Sequence, residues 1–331
     1  KCVIVREERG TRERAEARGG PMDADCVAPA SHSAFTTPRE MVQFWQQLRE
    51  FSGGKPVGFK LCVGQPWQFM AIVKAMIEAD NYPDFIVVDG AEGGTGAAPV
   101  EFMDNVGMPL LDGFLLVHNT LVGAGVRDKI KIGVSGKIIS AFDIARMLAL
   151  GADWCNSARG FMFAVGCIQS RACHTNKCPT GVATQDPYRQ RALHIPDKAQ
   201  RVYNFHKNTL KSLAAIVGAV GLKHPKDLQA YHIARRLENG QIKLLSKFYY
   251  FTEPGVLLNL SARSDVFNQM WVMANPDSFL ANNEALIAYN HDVRHAHDHN
   301  EKRFNEGNYR ERIDCFDETA NSYYTYDDDP S

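Results

Sequence analysis

The sequence predicts an α/β fold built on a parallel sheet, and three observations carry that expectation. Four apolar runs of strand character, at residues 57–63, 85–88, 130–134 and 154–157, each precede a segment whose apolar side chains recur at helical spacing. Four successive strand–helix units imply parallel strands joined by right-handed crossovers. At 331 residues the chain can also bury a core of full domain size, and its 45% hydrophobic and 23% charged composition is ordinary for a globular protein.

The chain opens with a dense mix of Arg and Glu over residues 1–14, which reads as a solvated, disordered extension. From Pro38 the side chains Met41, Phe44, Trp45, Leu48 and Phe51 recur at helical spacing, with Thr37 as N-cap and Gly53-Gly54 as the stop. The strand at 57–63 follows at once and leads into a helix over 67–79. The later units pair strand 85–88 with a helix near 110–122, strand 130–134 with a helix over 142–150, and strand 154–157 with a helix over 160–167. Further on, Ala199, Val202, Phe205, Leu210, Leu213 and Ile216 predict a long amphipathic helix over 197–220. A short helix near 225–237, strand character over 241–251 and a helix over 267–273 complete the pattern. The chain closes on an acidic, Asn- and Tyr-rich stretch. His291, His295, His297 and His299 there read as part of a solvated tail rather than a metal site, because the stretch is highly polar and lacks a thiol partner.

Charge and cysteine usage narrow the function. With 37 basic against 38 acidic side chains there is no nucleic-acid footprint. The longest apolar runs are far too short to span a bilayer and no signal-peptide pattern opens the chain, so the expectation is a soluble protein. Cys2, Cys26, Cys62, Cys155 and Cys315 are scattered and form no disulfide framework, which fits a reducing, cytoplasmic compartment.

The other three of the eight cysteines fall within twelve positions, as Cys167, Cys173 and Cys178, with Pro179 directly after the last. Thiolates bind iron–sulfur clusters, a short loop can bring its own thiolates to one inorganic core, and a proline stiffens the exit from the loop. Three ligands suggest a three-iron cluster, or a four-iron cluster with one other ligand. Two alternatives stand beside this. Zinc could be held with His174 as a fourth ligand, although zinc ligands usually come in two close-spaced, well-separated pairs; or the thiols could simply be buried small apolar groups.

The run Cys167-x5-Cys173-His174-x3-Cys178-Pro179-Thr180-Gly181-Val182-Ala183-Thr184-Gln185 resembles the cluster loop of the glutamate synthase large-subunit family, and most fully that of its stand-alone bacterial FMN-binding members. The likeness extends from about residue 15 to about residue 279, beginning at Ala15-Glu16-Ala17-Arg18-Gly19-Gly20 and the Cys26-Val27-Ala28-Pro29-Ala30-Ser31-His32 segment. It implies an FMN-binding (β/α)8 TIM-type barrel. Four units are half of such a barrel, and the family's early strands have no counterpart here. The expected organisation is therefore a C-terminal barrel half at 15–190 carrying the iron–sulfur loop 166–187, a helical extension at 191–279 and a polar acidic tail at 280–331.

In a parallel barrel, residues at the carboxyl ends of the strands line the active site. Lys60 ends the first strand, where a cation can hold a substrate carboxylate or stabilise reduced flavin; the bland reading is a lysine snorkelling to a solvent rim. The loop Asp89-Gly90-Ala91-Glu92-Gly93-Gly94-Thr95-Gly96-Ala97-Ala98-Pro99 is glycine-rich enough to let backbone approach a ligand, and it is similar to the family's loop at the flavin. Lys60 and Glu92 are the catalytic candidates, with Gly93, Gly94, Thr95 and Gly96 at the cofactor. Ser135, Gly136 and Lys137 after the third strand, and Ser157, Arg159 and Gly160 after the fourth, are the FMN-phosphate candidates, because such barrels often hold a phosphate on those loops and a helix N-terminus. Lys137 and Arg159 could instead only cap helices.

The resemblance implies reductive amination of 2-oxoglutarate to L-glutamate by hydride transfer from reduced FMN. A 3Fe-4S cluster on Cys167, Cys173 and Cys178 would relay electrons from a donor protein or subunit, and ammonia would come from solution or a glutaminase partner. The chain departs from the family at Cys62-Val63-Gly64-Gln65-Pro66-Trp67, where glutamate synthases carry a Ser-rich stretch near the 2-oxo acid. Another substrate for the same cofactors, or a cluster- or zinc-binding piece without flavin, are the rival expectations.

Overall fold

Thr37 starts the first long helix as expected: its hydroxyl accepts from the Glu40 N–H while the Glu40 carboxylate returns to the Thr37 N–H, a reciprocal cap followed by Pro38 at the first helical position. In this computed structural model the described residues are 31–93, 102–259 and 266–288, with segments 3–4 and 26–27 and positions 16, 19 and 290. Gly94, Thr95, Gly96 and the four tail histidines lie outside them, as does most of the 1–14 extension. Within that extension Val3–Ile4 (β1) pairs antiparallel with Cys26–Val27 (β2).

The central elements run α1 (Pro38–Phe51), β3 (Gly58–Leu61), α2 (Pro66–Ala79), β4 (Phe85–Asp89), α3 (Leu110–Gly123), β5 (Lys131–Ser135), α4 (Ala141–Ala149), β6 (Trp154–Asn156) and α5 (Arg159–Val165). The four strands pair in sequence order β3-β4-β5-β6, every pair parallel. This is the alternating α/β pattern read from the sequence. After α6 (Pro187–Gln190) comes α7 (Ile195–Ala219), which packs against α4 and α5.

Two expectations fail beyond α7. The helix expected over 225–237 is two 3-10 turns followed by β7 (Ala234–Arg236), which pairs antiparallel with β8 (Ile242–Leu244). Asn239-Gly240, with Gly240 at φ +80°, makes the connecting turn, and that turn chemistry outweighs the helical spacing of the preceding apolar residues. The strand character expected over 241–251 is confined to β8, because α8 (Leu245–Phe248) begins immediately after it. Helix α9 (Val266–Met273) forms where a helix was expected over 267–273, and it packs against α2. A second unit begins at Asn282, whose side chain caps a helical stretch at 283–288.

Strand register sorts side chains into two faces, since successive residues alternate. Ile86, Val88, Ile132 and Val134 share one face, all fully buried beneath the helices with Phe69, Met76, Phe114 and Leu121. Each fully buried aliphatic side chain contributes about 1.5–3 kcal/mol. Gly58, Lys60, Phe85, Val87, Asp89, Gly133, Ser135, Trp154 and Asn156 share the other face. Glycine is required twice there. A Cβ on Gly58 would lie 2.5 Å from the Phe85 ring and one on Gly133 2.3 Å from the Trp154 ring, so these positions admit the two rings, which meet edge to face at 6.0 Å.

Candidate functional site

At the carboxyl ends of the strands, register brings Lys60, Asp89, Ser135 and Asn156 to the same face and the same end of the sheet. The Lys60 ammonium forms an ion pair with the Asp89 carboxylate, and its side chain stays 58% exposed, available to a ligand. Sequence reasoning quoted Asp89 only as the first residue of the glycine-rich loop, yet its place as the last residue of β4 was the available signal.

The loop after β4 folds back over the strand ends. The Gly90 N–H donates to the Ser135 carbonyl at 2.8 Å, the Ala91 N–H to Met108 at 2.9 Å and the Met108 N–H to Val63 at 2.8 Å. Glu92 is thereby set at the start of α3, where its Oε1 accepts from the Leu110 N–H at 2.6 Å. Pro109 precedes that helix and offers no side-chain cap, so a distant carboxylate supplies the negative charge a helix N-terminus favours. The second oxygen, Oε2, is buried beside Gly90 and Gly136 and receives no hydrogen bond among the described residues. A buried acceptor without a donor is costly, and it leaves Oε2 able to accept a further N–H or O–H.

Around the rim, Ser157 donates to the Ile138 carbonyl at 2.7 Å, tying the loop after β6 to the loop after β5. Arg159 reaches across toward Gly93: a Cβ there would lie 3.8 Å from the guanidinium. Gly136 takes φ +151° against Glu92 and Leu110. Two phosphate candidates have other engagements. The Lys137 ammonium pairs with Asp104 at 3.1 Å, and Gly160 is where α5 meets α7, since a Cβ would stand 2.8 Å from the Phe205 ring. The N-terminus of α4 is closed by its own reciprocal cap, in which the Asp143 N–H donates to Ser140 Oγ and the Asp143 carboxylate accepts from the Ser140 and Ile139 N–H groups.

Cys62 is a further member that sequence reasoning treated only as a departure. It is exposed and lies close to Gly107, where a Cβ would come within 2.7 Å of its sulfur. Burial of part of the thiol, with the Asp89 and Glu92 carboxylates nearby, pushes its pKa up. Burial, with the Asp143 carboxylate adding to it, pushes Cys155 up to about 12, far from a reactive thiolate.

The cysteine loop is built by Asn176 and Thr184. Asn176 turns left-handed at φ +59°, its side-chain oxygen accepts from the Gln185 N–H at 2.7 Å, and the Thr184 hydroxyl donates to its carbonyl. Gly181 is obligatory, as a Cβ would lie 2.3 Å from the Arg189 carbonyl. Cys178 is buried; burial raises its pKa, but hydrogen bonds from the Thr180 hydroxyl and the Ala183, Thr180 and Val182 N–H groups outweigh this and bring it below the ordinary value. Cys167 and Cys173 are half-buried, and the Gln169 N–H points at the Cys167 sulfur at 3.5 Å. None of the three cysteines is in a disulfide, and among the described residues no three Cys, His, Asp or Glu side chains converge as metal ligands. A cleft of about 440 Å³ opens beside Cys167, lined also by Ile168, Pro179, Thr180, Lys198 and Arg201. No described helix is long and apolar enough to cross a membrane.

Comparison with known proteins places this arrangement. Residues 6–223 match the family model described as a conserved region in glutamate synthase. The chain is 42% identical over 215 residues to the glutamate synthase large subunit-like protein YerD of Bacillus subtilis, covering 65% of this chain and 41% of that one. It is 31% identical to an archaeal-type glutamate synthase [NADPH] of Thermotoga neapolitana, covering 72% of this chain and 47% of the relative. Against the archaeal glutamate synthase [NADPH] of Methanocaldococcus jannaschii, identity is 32% and the shares are 67% and 43%. Among solved structures, a mutant flavocytochrome b2 with pyruvate bound aligns over 66% of this chain and 42% of its own, with a TM-score of 0.35 and 12% identity. The chain thus spans less than half the length of these curated relatives. It belongs to the glutamate synthase family.

Proposed function

We propose that the chain supplies the C-terminal half of an FMN-binding (β/α)8 barrel that reductively aminates 2-oxoglutarate to L-glutamate. The observation that carries this reading is the strand-end cluster: an exposed Lys60 held by Asp89, a buried Glu92 oxygen lacking a donor, and Arg159 brought near Gly93. Four parallel strands in sequence order, with one face under helices, fit half of a closed barrel.

The residues present fit FMN. Glu92 Oε2 would accept from a ring N–H, the backbone at Gly93 and Gly136 leaves room for close approach, and Arg159 would hold the phosphate with the N–H groups near Ser157. When bound, the flavin supplies the hydride that reduces an imine carbon. Lys60 would clamp a substrate carboxylate, orienting the carbon to be reduced, and the ion pair with Asp89 would hold that ammonium in place. Cys167, Cys173 and Cys178 would hold an iron–sulfur cluster fed by an electron-donor protein or subunit; three cysteines outside any disulfide and the N–H cradle at Cys178 suit thiolate ligands. Ammonia would come from solution or from a glutaminase partner.

A second reading keeps the cofactors and changes the 2-oxo acid, and Cys62 favours it, because an exposed thiol stands beside Asp89 and Glu92. Anaerobic purification with iron, acid-labile sulfide and FMN assays tests the first step. Iron, sulfide and FMN together, followed by glutamate formation from 2-oxoglutarate and ammonium with reduced flavin, support the proposal. Flavin and cluster with turnover of another 2-oxo acid alone would favour the second reading, and zinc without flavin would overturn both.

A further inference from the structure

We infer that Lys198 tunes the reduction potential of the group held by Cys167, Cys173 and Cys178, favouring its reduced form; this deepens the cluster reading above and rests on it. Lys198 stands in the first turn of α7, whose N-cap, His194, offers no side-chain cap. A helix N-terminus carries partial positive charge, so a cation is disfavoured there. Burial adds to the cost, because the Lys198 side chain is only 21% exposed. Among the described residues its ion pair is with the neighbouring Asp197 at 3.7 Å, too long for a hydrogen bond, and that carboxylate is itself 57% exposed. The helix thus keeps a cation where its own surroundings compensate it poorly.

Beside that cation lies the cysteine loop. A Cβ on Gly166, one residue before Cys167, would lie 3.4 Å from Lys198 Nζ, and Lys198 lines the cleft of about 440 Å³ together with Cys167, Thr180 and Arg201. An iron–sulfur group on three thiolates carries net negative charge, and uptake of one electron makes it one unit more negative. A mostly buried cation beside the first ligand attracts the reduced form more strongly than the oxidised form, so the potential rises. Arg201 is exposed, and solvent and salt weaken any such effect from it. A lysine stem that merely covered Phe163 and Val165 would leave the potential where it is.

The test is an anaerobic dithionite titration of the purified full chain, followed by electron paramagnetic resonance at set potentials, for wild type, Lys198→Gln, Lys198→Arg and Arg201→Gln. Iron and sulfide are assayed in every sample. At a given potential Lys198→Gln should lose about tenfold in the ratio of reduced to oxidised group, a fall of ~59 mV for one electron, at low and high salt alike. Lys198→Arg keeps the cation and should restore the wild-type potential, while Arg201→Gln should shift it less, and not at all in high salt. An unchanged potential in cluster-loaded Lys198→Gln, a shift abolished by salt, an equal shift in Arg201→Gln, or a Lys198→Arg potential as low as that of Lys198→Gln would overturn the inference and leave the cluster reading standing. Loss of iron from Lys198→Gln would make the residue a condition of assembly, which also overturns a tuning role. A wild-type chain without iron and sulfide would overturn the cluster reading and this inference together.

Discussion

The two ends of the parallel sheet use charge in opposite ways. At the amino ends of the strands, polar groups satisfy one another. Asp84 accepts from the Val57 N–H at 2.7 Å and from Arg49 at 3.0 Å. Asp153 accepts from the Ile132 N–H at 2.8 Å and from Arg127 at 2.9 Å, while Arg127 also donates to the Ile130 and Gly151 carbonyls. At the carboxyl ends, Lys60 is half-exposed, Glu92 keeps an oxygen without a donor, and the backbone is opened by glycines. One end spends its charges on holding strands in register and the other keeps them for something else. That division is the one expected of a barrel-type sheet, where one face carries stability and the other carries chemistry.

The sharpest way to break this comparison is to mutate both ends and read both properties. Lys60→Ala should lower kcat/KM of the loaded enzyme by about 100–1000-fold, yet change unfolding free energy by no more than about 0.5 kcal/mol. Steady-state kinetics and urea unfolding measure the two, and a large stability loss would make Lys60 structural. Asp153→Ala should do the reverse, costing about 2–3 kcal/mol of stability because Arg127 and the Ile132 N–H lose their acceptor.

Acid should find the amino end first. Burial and the neighbouring Arg127 depress the His118 pKa from 6.5 to about 4, so the unfolded chain takes up a proton that the native state refuses. Stability is therefore full above about pH 6.5 and falls as pH drops toward 4, by roughly 3 kcal/mol in total. Urea unfolding across that range should show the slope, and His118→Gln should flatten it. Below this window Asp153 contributes in turn: despite its burial, hydrogen bonds from Ile132 and Arg127 hold its carboxyl under the usual range, so its stabilisation is lost as pH falls through that depressed value. A smaller effect belongs to Gly133→Ala, whose Cβ would meet the Trp154 ring at 2.3 Å and should cost about 1–3 kcal/mol by overpacking.

Local chemistry made much of this legible in the sequence. Thr37 announced α1 as its N-cap, and the repeated strand–helix alternation announced the parallel sheet. Lys60 was found because it ends an apolar strand, and Glu92 because it sits among glycines. What escaped depends on partners far apart in sequence. Asp89 acquires its role only when β3 and β4 pair, Glu92 is a helix cap only once Leu110 arrives beside it, and the Phe85 and Trp154 rings use space left by Gly58 and Gly133 on neighbouring strands. The hairpin at Asn239-Gly240 is legible in that Asn-Gly pair, whose turn chemistry outranks the helical spacing of the apolar residues before it.

The most direct test of a ligand site at the carboxyl ends is an FMN titration followed by flavin fluorescence, with the wild-type chain, Arg159→Ala and Asp153→Asn in parallel. Saturable quenching by the wild type, weakened at least about tenfold by Arg159→Ala and unchanged by natively folded Asp153→Asn, is the predicted result. No saturable binding, or equal binding by the Arg159 variant, would contradict the placement of the flavin at these strand ends.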